Sequence, residues 1–207
     1  VFAKLIDALT FGGLYKVSVQ TYEVAEHGVP QFRQRVIIIG NRLGKEVPPM
    51  PKTHGHHSPA GNIFPYRTVK EALSGLPESS IQASLNAHTG RDHSERIVER
   101  YRGLKFGERD PKTRINKLNP DSPSFAIIVG SDRGGGKGHV HPFIPREVTP
   151  RESARLQTFP DWWEFSGKGR HVIRQVGNAV PPLFGAQLAT HVDKHLFGQQ
   201  QLSYKAL

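Results

Sequence analysis

The spacing of apolar residues over the first forty positions predicts the closing elements of a larger α/β sheet. Apolar side chains recur at helical intervals between Phe2 and Leu9, and two consecutive glycines then end that pattern. Residues 15–24 alternate as in a half-buried strand, with one face formed by Tyr15, Val17, Val19 and Thr21. The β-branched run 35–40 predicts a strand buried on both faces. Because two strands form no stable sheet alone, this part of the chain is expected to need a partner.

The pattern becomes loop-rich beyond residue 44 and then turns helical. Residues 45–65 are rich in Pro, Gly and His and predict a linker. Further elements are predicted as a helix at 68–73 capped by Thr68 with Glu71, a helix at 94–104, a strand at 124–129 and a glycine-rich loop at 130–138. Thr149-Pro-Arg-Glu152 has the composition of a helix start with a capping box. The last helix is predicted to hold both Pro181 and Pro182 in its first turn and an apolar stripe of Phe184, Leu188, Val192 and Leu196.

Composition narrows the possible functions. A chain of 207 residues supports one or two domains, and it has no apolar stretch long enough to span a membrane. Lys4 and Asp7 interrupt the apolar start, which argues against a signal peptide. The net charge of +10 suits nucleic acid or an anionic membrane, although a basic protein with neither partner fits the charge equally well. The absence of cysteine excludes disulfides, thiolate zinc sites and thiol nucleophiles on this chain.

Two polar segments are candidates for chemistry. Gln31, Arg33 and Arg35 are predicted to project from one side of the sheet edge, where they could clamp a phosphate or hold a base oxygen. A solvated arginine pair on a loop is the alternative. Gly177 and Asn178 are interpreted as a helix start whose free N–H groups suit a carboxylate or phosphate, with ordinary capping as the alternative.

Two other segments fit known sites poorly. The run Gly134–Gly138 lacks the first glycine of a phosphate-binding loop and has glycine where serine or threonine should follow the lysine. A mobile basic loop is the better interpretation. The histidines could ligate a metal, but cysteine and nearby carboxylates are missing, so no metal site is predicted; they are His54, His56, His57, His139 and His141.

Three ordered segments together resemble one family, the cytosine-5 DNA methyltransferases. Gly28-Val-Pro-Gln-Phe-Arg-Gln-Arg35 resembles the eighth signature motif, residues 151–161 resemble the ninth, and Gln175-Val-Gly-Asn-Ala-Val-Pro-Pro182 resembles the tenth. Residues 118–124 and His141-Pro142 resemble the lead-in to the ninth motif. The likeness spans about residues 15–195. One departure is Ser124-Phe-Ala-Ile, where the family usually has Pro-Thr-Ile.

The resemblance implies a fold class and a division of the chain. The fold would be α/β, with the last strands of a Rossmann-like, S-adenosylmethionine-dependent methyltransferase sheet plus a smaller, mixed and β-rich target recognition domain. Residues 1–46 would close the catalytic domain, 47–165 would form the recognition domain including the ninth motif, and 166–207 would return to the catalytic domain. The cofactor implied is S-adenosylmethionine and the partner is double-stranded DNA, in a restriction–modification setting.

The resemblance also implies roles for individual residues. In such enzymes a cysteine attacks C6 of a flipped-out cytosine and S-adenosylmethionine delivers a methyl group to C5. The flipped base would be held primarily by Arg35 and secondarily by Arg33, and Gln31 would support them. The donor pocket would be walled by Gly177, Asn178, Ala179 and Val180, whereas Glu152 and Arg155 would be structural anchors of the ninth motif. Contact with DNA is expected from basic residues of the recognition segment, namely Arg114, Lys117, Arg133 and Lys137.

The motifs that carry the covalent chemistry in this family are not present in the sequence. It has no early Phe-x-Gly-x-Gly loop, no Pro-Cys nucleophile loop and no Glu-Asn-Val. We therefore expect the chain to be inactive without an N-terminal subunit or domain that carries the cysteine. The expected location is the bacterial cytoplasm at the nucleoid, or the nucleus in a eukaryote. A non-catalytic DNA-binding module and part of an RNA cytosine-5 methyltransferase are the alternatives.

Overall fold

The computed structural model describes residues 2–56, 63–77, 85–129 and 136–198, with the backbone alone at 128–129 and 136–137. Within these residues the α-helices are α1 (Phe2–Thr10), α2 (Val69–Leu73), α3 (Glu95–Gly103), α4 (Pro150–Leu156), α5 (Gly169–Asn178) and α6 (Pro182–Phe197). The strands are β1 (Lys16–Glu23), β2 (Gln34–Asn41), β3 (His54–Gly55), β4 (Phe64–Pro65), β5 (Ile128–Val129) and β6 (Gly136–Lys137). They form three two-stranded sheets, β1–β2 antiparallel, β3–β4 parallel and β5–β6 antiparallel.

The strands β1 and β2 form a hairpin-like pair in register from Lys16 opposite Asn41 to Glu23 opposite Gln34. A 3-10 turn over Val24–His27 reverses the chain, and it ends at Gly28 with φ of 83°. Glycine is needed there because a Cβ at residue 28 would lie 2.9 Å from the ring of His54, besides the cost of a left-handed backbone. The turn thereby fixes where the segment before β2 begins.

The prediction that β2 is buried on both faces is wrong for the described residues. Val36 and Ile38 are 53% and 37% exposed, and they share their face with Val19 and Thr21 of β1. The apolar face predicted from residues 15–21 is therefore the more exposed one. The opposite face, which includes Tyr22, packs on α6; this core consists of Tyr22, Val24, Val29, Met50 and Phe184, with Ile37 and Leu188 against it.

Helix α1 confirms the predicted start and stop of the first helix but has no buried residue among those described. Its apolar side chains, Phe2, Leu5 and Leu9, are all exposed. We call the exposed apolar residues of α1, the turn after it and the β1–β2 pair the open face: Phe2, Leu5, Leu9, Phe11, Leu14, Tyr15, Val36 and Ile38. So many exposed apolar side chains in a short part of the chain indicate an interface.

The predicted caps of α2 and α4 are confirmed. Thr68 accepts the N–H of Glu71, Thr149 accepts the N–H of Glu152, and each glutamate reaches back to complete a capping box. Helix α3 matches the predicted helix at 94–104 closely. The strand predicted at 124–129 is reduced to β5, and the predicted glycine-rich loop contributes β6; residues 130–135 lie outside the described residues.

Helices α4 and α5 share a core with the segment after α4. It consists of Ile127, Ala154, Phe159, Phe165, Val172, Ile173 and Val176. Smaller clusters lie around Leu118, which packs with α2 and α4, and around Tyr101 on α3. Helix α6 packs instead on β1 and β2, and its apolar stripe begins at buried Phe184 and ends at buried Leu196, as predicted. Of the two prolines expected in its first turn, Pro181 is the N-cap and Pro182 the first helical residue.

Helix α5 was not predicted, and it corrects the interpretation of Gly177 and Asn178. Both residues lie in the last turn of α5 rather than at a helix start. The N–H of Ala179 bonds to the carbonyls of Gln175 and Val176, so this end presents carbonyls, the negative end of the helix dipole. The anion site expected from free N–H groups at 177–178 is therefore wrong. The division of the chain at residue 166 stays a prediction.

Candidate active site

The loop that carries the eighth-motif arginines is held in place by backbone hydrogen bonds from two directions. We call residues 30–35 the arginine loop. The N–H of Phe32 donates to the carbonyl of Ser124 at 2.9 Å, and the N–H of Ser124 donates to the carbonyl of Pro30 at 2.9 Å. The backbone N–H of Arg33 donates to the carboxylate of Glu23 at the end of β1. These contacts orient the side chains of the loop before any ligand binds.

Arg33 connects the arginine loop to α5. Its side chain is buried, with 6% of the residue exposed, and Nη2 donates to the carbonyl of Gly177. Burial, followed by the nearby charge of Arg35, lowers the pKa of Arg33 to about 10. The alternative of a solvated arginine pair is wrong for Arg33. Segments that lie 144 residues apart in sequence, one from each of two motifs, therefore meet at one hydrogen bond.

Arg35 and Gln31 lie in different environments from Arg33. Arg35 is half-buried in β2, where Nη1 donates to the carbonyl of Gln34 at 2.6 Å. Gln31 is fully buried, yet both polar atoms of its amide have no hydrogen-bond partner among the described residues. The hydroxyl of Ser124, paired with Gln31 in a β-bridge, is also buried without a partner. Because unpaired buried polar groups are costly, they are the groups that a ligand or water would satisfy.

An aromatic groove of about 490 Å³ lies beside the end of α5. We define it by its lining residues Phe159, Pro160, Trp162, Trp163, Phe165, Gln175, Ala179, Val180 and Pro182. Two of the four residues predicted to bind the methyl donor, Ala179 and Val180, line this groove, whereas Gly177 is buried and Asn178 is exposed outside its lining. These aromatic rings, which meet edge-to-face or tilted, and the aliphatic carbons beside them suit a flat, partly apolar ligand.

Arg151 holds the walls of the aromatic groove together. The residue is fully buried, and its guanidinium lies 5.2 Å from the ring centroid of Phe165. Its donors reach the carbonyls of Asn86, Pro160 and Trp163 at 2.9, 3.1 and 2.6 Å. The sequence offered no signal for this role, because an arginine in a first helical turn is ordinarily exposed.

The ninth-motif residues Glu152 and Arg155 are both paired. Glu152 makes a bidentate contact with Arg146 at 2.7 and 2.8 Å, and this contact holds the pKa of the Glu152 carboxyl below its usual value although burial opposes the shift. Arg155 donates to the Asp161 carboxylate and, at 2.6 Å, to the carbonyl of Ser74 after α2. Both contacts join α4 to neighbouring loops, and the role of these residues as anchors of the ninth motif stays a prediction.

The basic segment 91–117 forms a largely exposed surface. Seven of its nine Lys and Arg residues are exposed, namely Arg91, Arg96, Arg102, Lys105, Arg109, Lys112 and Arg114. Lys117 differs, because its ammonium donates to the carbonyls of Tyr101 and Leu104 at the end of α3. A phosphate would have to compete with those carbonyls. Of the other predicted DNA contacts, Arg133 lies outside the described residues, and Lys137 belongs to β6.

The described residues contain nothing that contradicts the two expected absences, of a metal site and of a membrane span. No group of three His, Asp or Glu side chains there is arranged to hold a metal ion. His139 and His141 are buried, and burial lowers the pKa of each to about 4. No helix in the same part of the chain is long and apolar enough to cross a membrane.

Comparison with known proteins assigns the family. The model of the C-5 cytosine-specific DNA methylase family matches residues 1–194. The chain belongs to this family. It is 38% identical over 203 residues to the Type II methyltransferase M.BbvI of Brevibacillus brevis and 36% identical over 191 residues to M.NgoFVII of Neisseria gonorrhoeae. These alignments cover 87% and 86% of this chain but 50% of each relative, so the chain spans about half the length of the relatives it matches.

Solved structures agree in fold. A DNA modification methyltransferase encoded within an E. coli prophage superposes with a TM-score of 0.75 at 24% identity, over 94% of this chain and 65% of that one. The Dnmt2 methyltransferase of S. pombe gives a TM-score of 0.58 at 16% identity, over 93% and 62% of the two chains. The mixed α/β fold with small sheets is thus a methyltransferase fold. Enzymes of this family methylate DNA with S-adenosylmethionine, which confirms the predicted cofactor at the level of the family.

Proposed function

We propose that this chain is the C-terminal part of a DNA cytosine-5 methyltransferase. It would recognise target DNA and complete the pockets for S-adenosylmethionine and the flipped cytosine, while a part N-terminal to it supplies the nucleophilic cysteine. The observation that supports this most directly is the hydrogen bond from Arg33 to Gly177. It places the arginine loop next to the end of α5, so that a base site and a donor site would be neighbours.

Arg35 is the residue we propose to act on the flipped base. It is less buried than Arg33, whose guanidinium is engaged with Gly177, and it stands at the start of β2. A guanidinium there can donate to a base oxygen and stabilise the negative charge that develops as the ring is attacked. Arg33 would then fix the loop, and the unpaired amide of Gln31 would satisfy a polar group of the bound nucleotide or a water beside it.

The aromatic groove is the proposed wall of the donor site. S-adenosylmethionine supplies the methyl group when bound, and its flat adenine and aliphatic stem fit aromatic and apolar walls. Val180 and Ala179 would form the protein side of that contact. The N–H groups of Gly177 and Asn178 are not part of the proposed donor site. Both residues lie in the last turn of α5, whose end presents carbonyls rather than free N–H groups.

The recognition domain is proposed to span residues 47–165, preceded by the catalytic piece 1–46 and followed by the return segment 166–207. Seven exposed basic side chains at 91–114 would neutralise phosphates, and the segment 130–138 would read bases. The open face would be covered by the remaining strands and helices of the Rossmann-like domain. We expect the assembled enzyme at the nucleoid of a bacterium or in the nucleus of a eukaryote.

Tritiated methyl transfer to duplex DNA tests this proposal. We expect no incorporation by the purified chain and incorporation at cytosine C5 once the cysteine-bearing half is added. Incorporation by the chain alone would contradict the proposal, and preferential binding and methylation of tRNA over duplex DNA would favour the RNA-modifying alternative. A complex that binds duplex DNA but never methylates it would favour the non-catalytic module.

Arg35→Ala in the assembled enzyme tests the role of the base-holding residue. We expect the single-turnover rate to fall by about a hundredfold or more, in the range of a lost transition-state donor, with DNA affinity changed far less. Arg42→Ala, an exposed arginine just after the other end of β2, is the matched control. If Arg35→Ala weakens DNA binding at an unchanged single-turnover rate, the residue contacts phosphate instead.

Exchange of the recognition segment tests where specificity resides. Residues 47–147 are replaced by the corresponding segment of a relative with another target sequence, and the hybrid is paired with the same N-terminal half. Methylation is expected to follow the donor of the segment. A hybrid that still methylates the original sequence would place recognition elsewhere.

A further inference from the structure

Two neighbouring side chains at the end of α4 hold both sides of the connection between α5 and α6. We call residues 179–181 the joint. The amide nitrogen of Gln157 donates to the carbonyls of Val176 and Ala179, at 2.7 and 3.5 Å. The hydroxyl of Thr158 accepts the backbone N–H of Leu183 at 3.1 Å. Gln157 is fully buried and Thr158 half-buried.

Each of these contacts supplies a helix cap from outside the helix. The N-cap of α6, Pro181, provides no side-chain cap, and the first turn of the helix presents N–H groups that lack intrahelical partners. Thr158 provides for Leu183 the acceptor that a serine or threonine N-cap would otherwise provide. On the other side, Gln157 serves a carbonyl at the last turn of α5. The joint is therefore clamped at both ends by consecutive residues.

The backbone of Thr158 indicates that its hydroxyl matters. Its φ is 64°, in the left-handed region, which is unfavourable for a β-branched residue and easy for glycine. The chain holds threonine at a position where glycine would relieve this strain. Strained residues persist only where the surrounding structure holds them in place, and they cluster at functional sites.

We propose that Gln157 and Thr158 are positioning residues that set the donor-side wall of the aromatic groove. The segment they clamp carries Ala179 and Val180, and the carbonyl of Gly177, two residues before that segment, accepts a hydrogen bond from Arg33. The clamp therefore fixes the wall relative to the arginine loop as well as to α4. This inference rests on the proposed function, because it assigns Ala179 and Val180 to the methyl donor.

The test uses the assembled methyltransferase with Thr158→Val, which keeps the shape and removes the acceptor. We expect the Kd and KM for S-adenosylmethionine to rise about tenfold, the effect of losing one well-placed contact, while kcat and the Kd for DNA stay within twofold. We expect Thr158→Ser, which keeps the hydroxyl, to bind the donor as tightly as the wild type. We expect Thr158→Gly to relieve the backbone strain but to bind the donor poorly, because it lacks the hydroxyl. Gln157→Met is expected to weaken donor binding in the same direction.

Thr68→Val is the matched control, because Thr68 caps α2 by the same kind of bond far from the groove. It is expected to lower thermal stability as a lost cap does, with donor affinity unchanged. Hydrogen exchange at the Leu183 amide is expected to accelerate in Thr158→Val, and unchanged exchange would overturn the clamp. Donor affinity equal to wild type in Thr158→Val, or an equal loss of donor and DNA affinity, would show a purely structural role. A wild-type complex that binds no S-adenosylmethionine would contradict the proposed function itself.

Discussion

Replacement of Arg151 by methionine should collapse one wall of the aromatic groove. The guanidinium satisfies three backbone carbonyls, those of Asn86, Pro160 and Trp163, and also reaches the side-chain oxygen of Asn86 at 3.4 Å. Methionine fills much of the same volume and keeps the contact with Phe165, so the loss is mainly polar. Each carbonyl left without a donor costs about 1 kcal/mol or more, which sums to roughly 3–5 kcal/mol for the site.

A loss of that size is a large part of the stability of an ordinary domain, which is about 5–15 kcal/mol. The midpoint of thermal unfolding should fall by roughly 10 °C, at about 2–4 °C per kcal/mol for a chain of this length. The assay follows urea and thermal unfolding by intrinsic fluorescence, because both tryptophans of the chain, Trp162 and Trp163, line the groove. Because Trp162 and Trp163 are already 64% and 44% exposed, the unfolding midpoint is the readout rather than the position of the native emission.

The control is Arg96→Met, which removes an exposed arginine of α3. It should change stability by less than about 0.5 kcal/mol. A loss below about 1 kcal/mol in Arg151→Met would refute the reasoning. It would mean that water reaches these carbonyls and that Arg151 does not organise the groove.

Three further predictions concern pH, DNA and association. Burial lowers the pKa of His141 from 6.5 to about 4, so the unfolded chain binds a proton at this residue at a higher pH than the folded chain does. The free energy of unfolding should therefore decrease as the pH falls from 6.5 to about 4. Urea unfolding at each pH should show that His141→Asn makes this decrease smaller by up to about 3 kcal/mol. Arg114→Ala should reduce the salt dependence of the DNA affinity by about one log unit of slope, measured by fluorescence anisotropy, and an unchanged slope would remove Arg114 from the phosphate contacts. Val36→Asp on the open face should leave the stability of the chain unchanged and weaken its association with the N-terminal half at least tenfold, measured by calorimetry. An unaltered affinity would mean that another surface forms the interface.

Local chemistry explains which features the sequence could predict. The starts of α2 and α4 are determined by Thr68 and Thr149 with their glutamates, because a capping box closes within four residues. The apolar stripe of α6 and the strand β1 follow from side-chain periodicity, and β2 follows from its run of β-branched residues. The family, too, could be read from three short ordered motifs, and the match over residues 1–194 agrees with it.

Burial could not be predicted from the same local pattern. Side-chain periodicity indicates that the two faces of a strand differ, but which face is buried depends on what packs against it. In this chain α6 covers the face with Tyr22 rather than the face with Val19. The prediction that Gly177 and Asn178 start a helix was wrong for a related reason. Asn178 and the prolines after it resemble one helix start, but Asn178 is the last residue of α5, which packs on α4, and only the prolines begin α6.

The sequence by itself determined the family, the caps and the order of the chemical groups, since each depends on residues close together in the chain. Only the tertiary structure decided which of those groups meet. Arg33 lies on the carbonyl of Gly177, and Gln157 and Thr158 clamp the joint, because chain segments separated by 19 to 144 residues pack against one another. Arg151 became a buried centre of hydrogen bonds for the same reason: its acceptors arrive on loops whose paths no local pattern specifies.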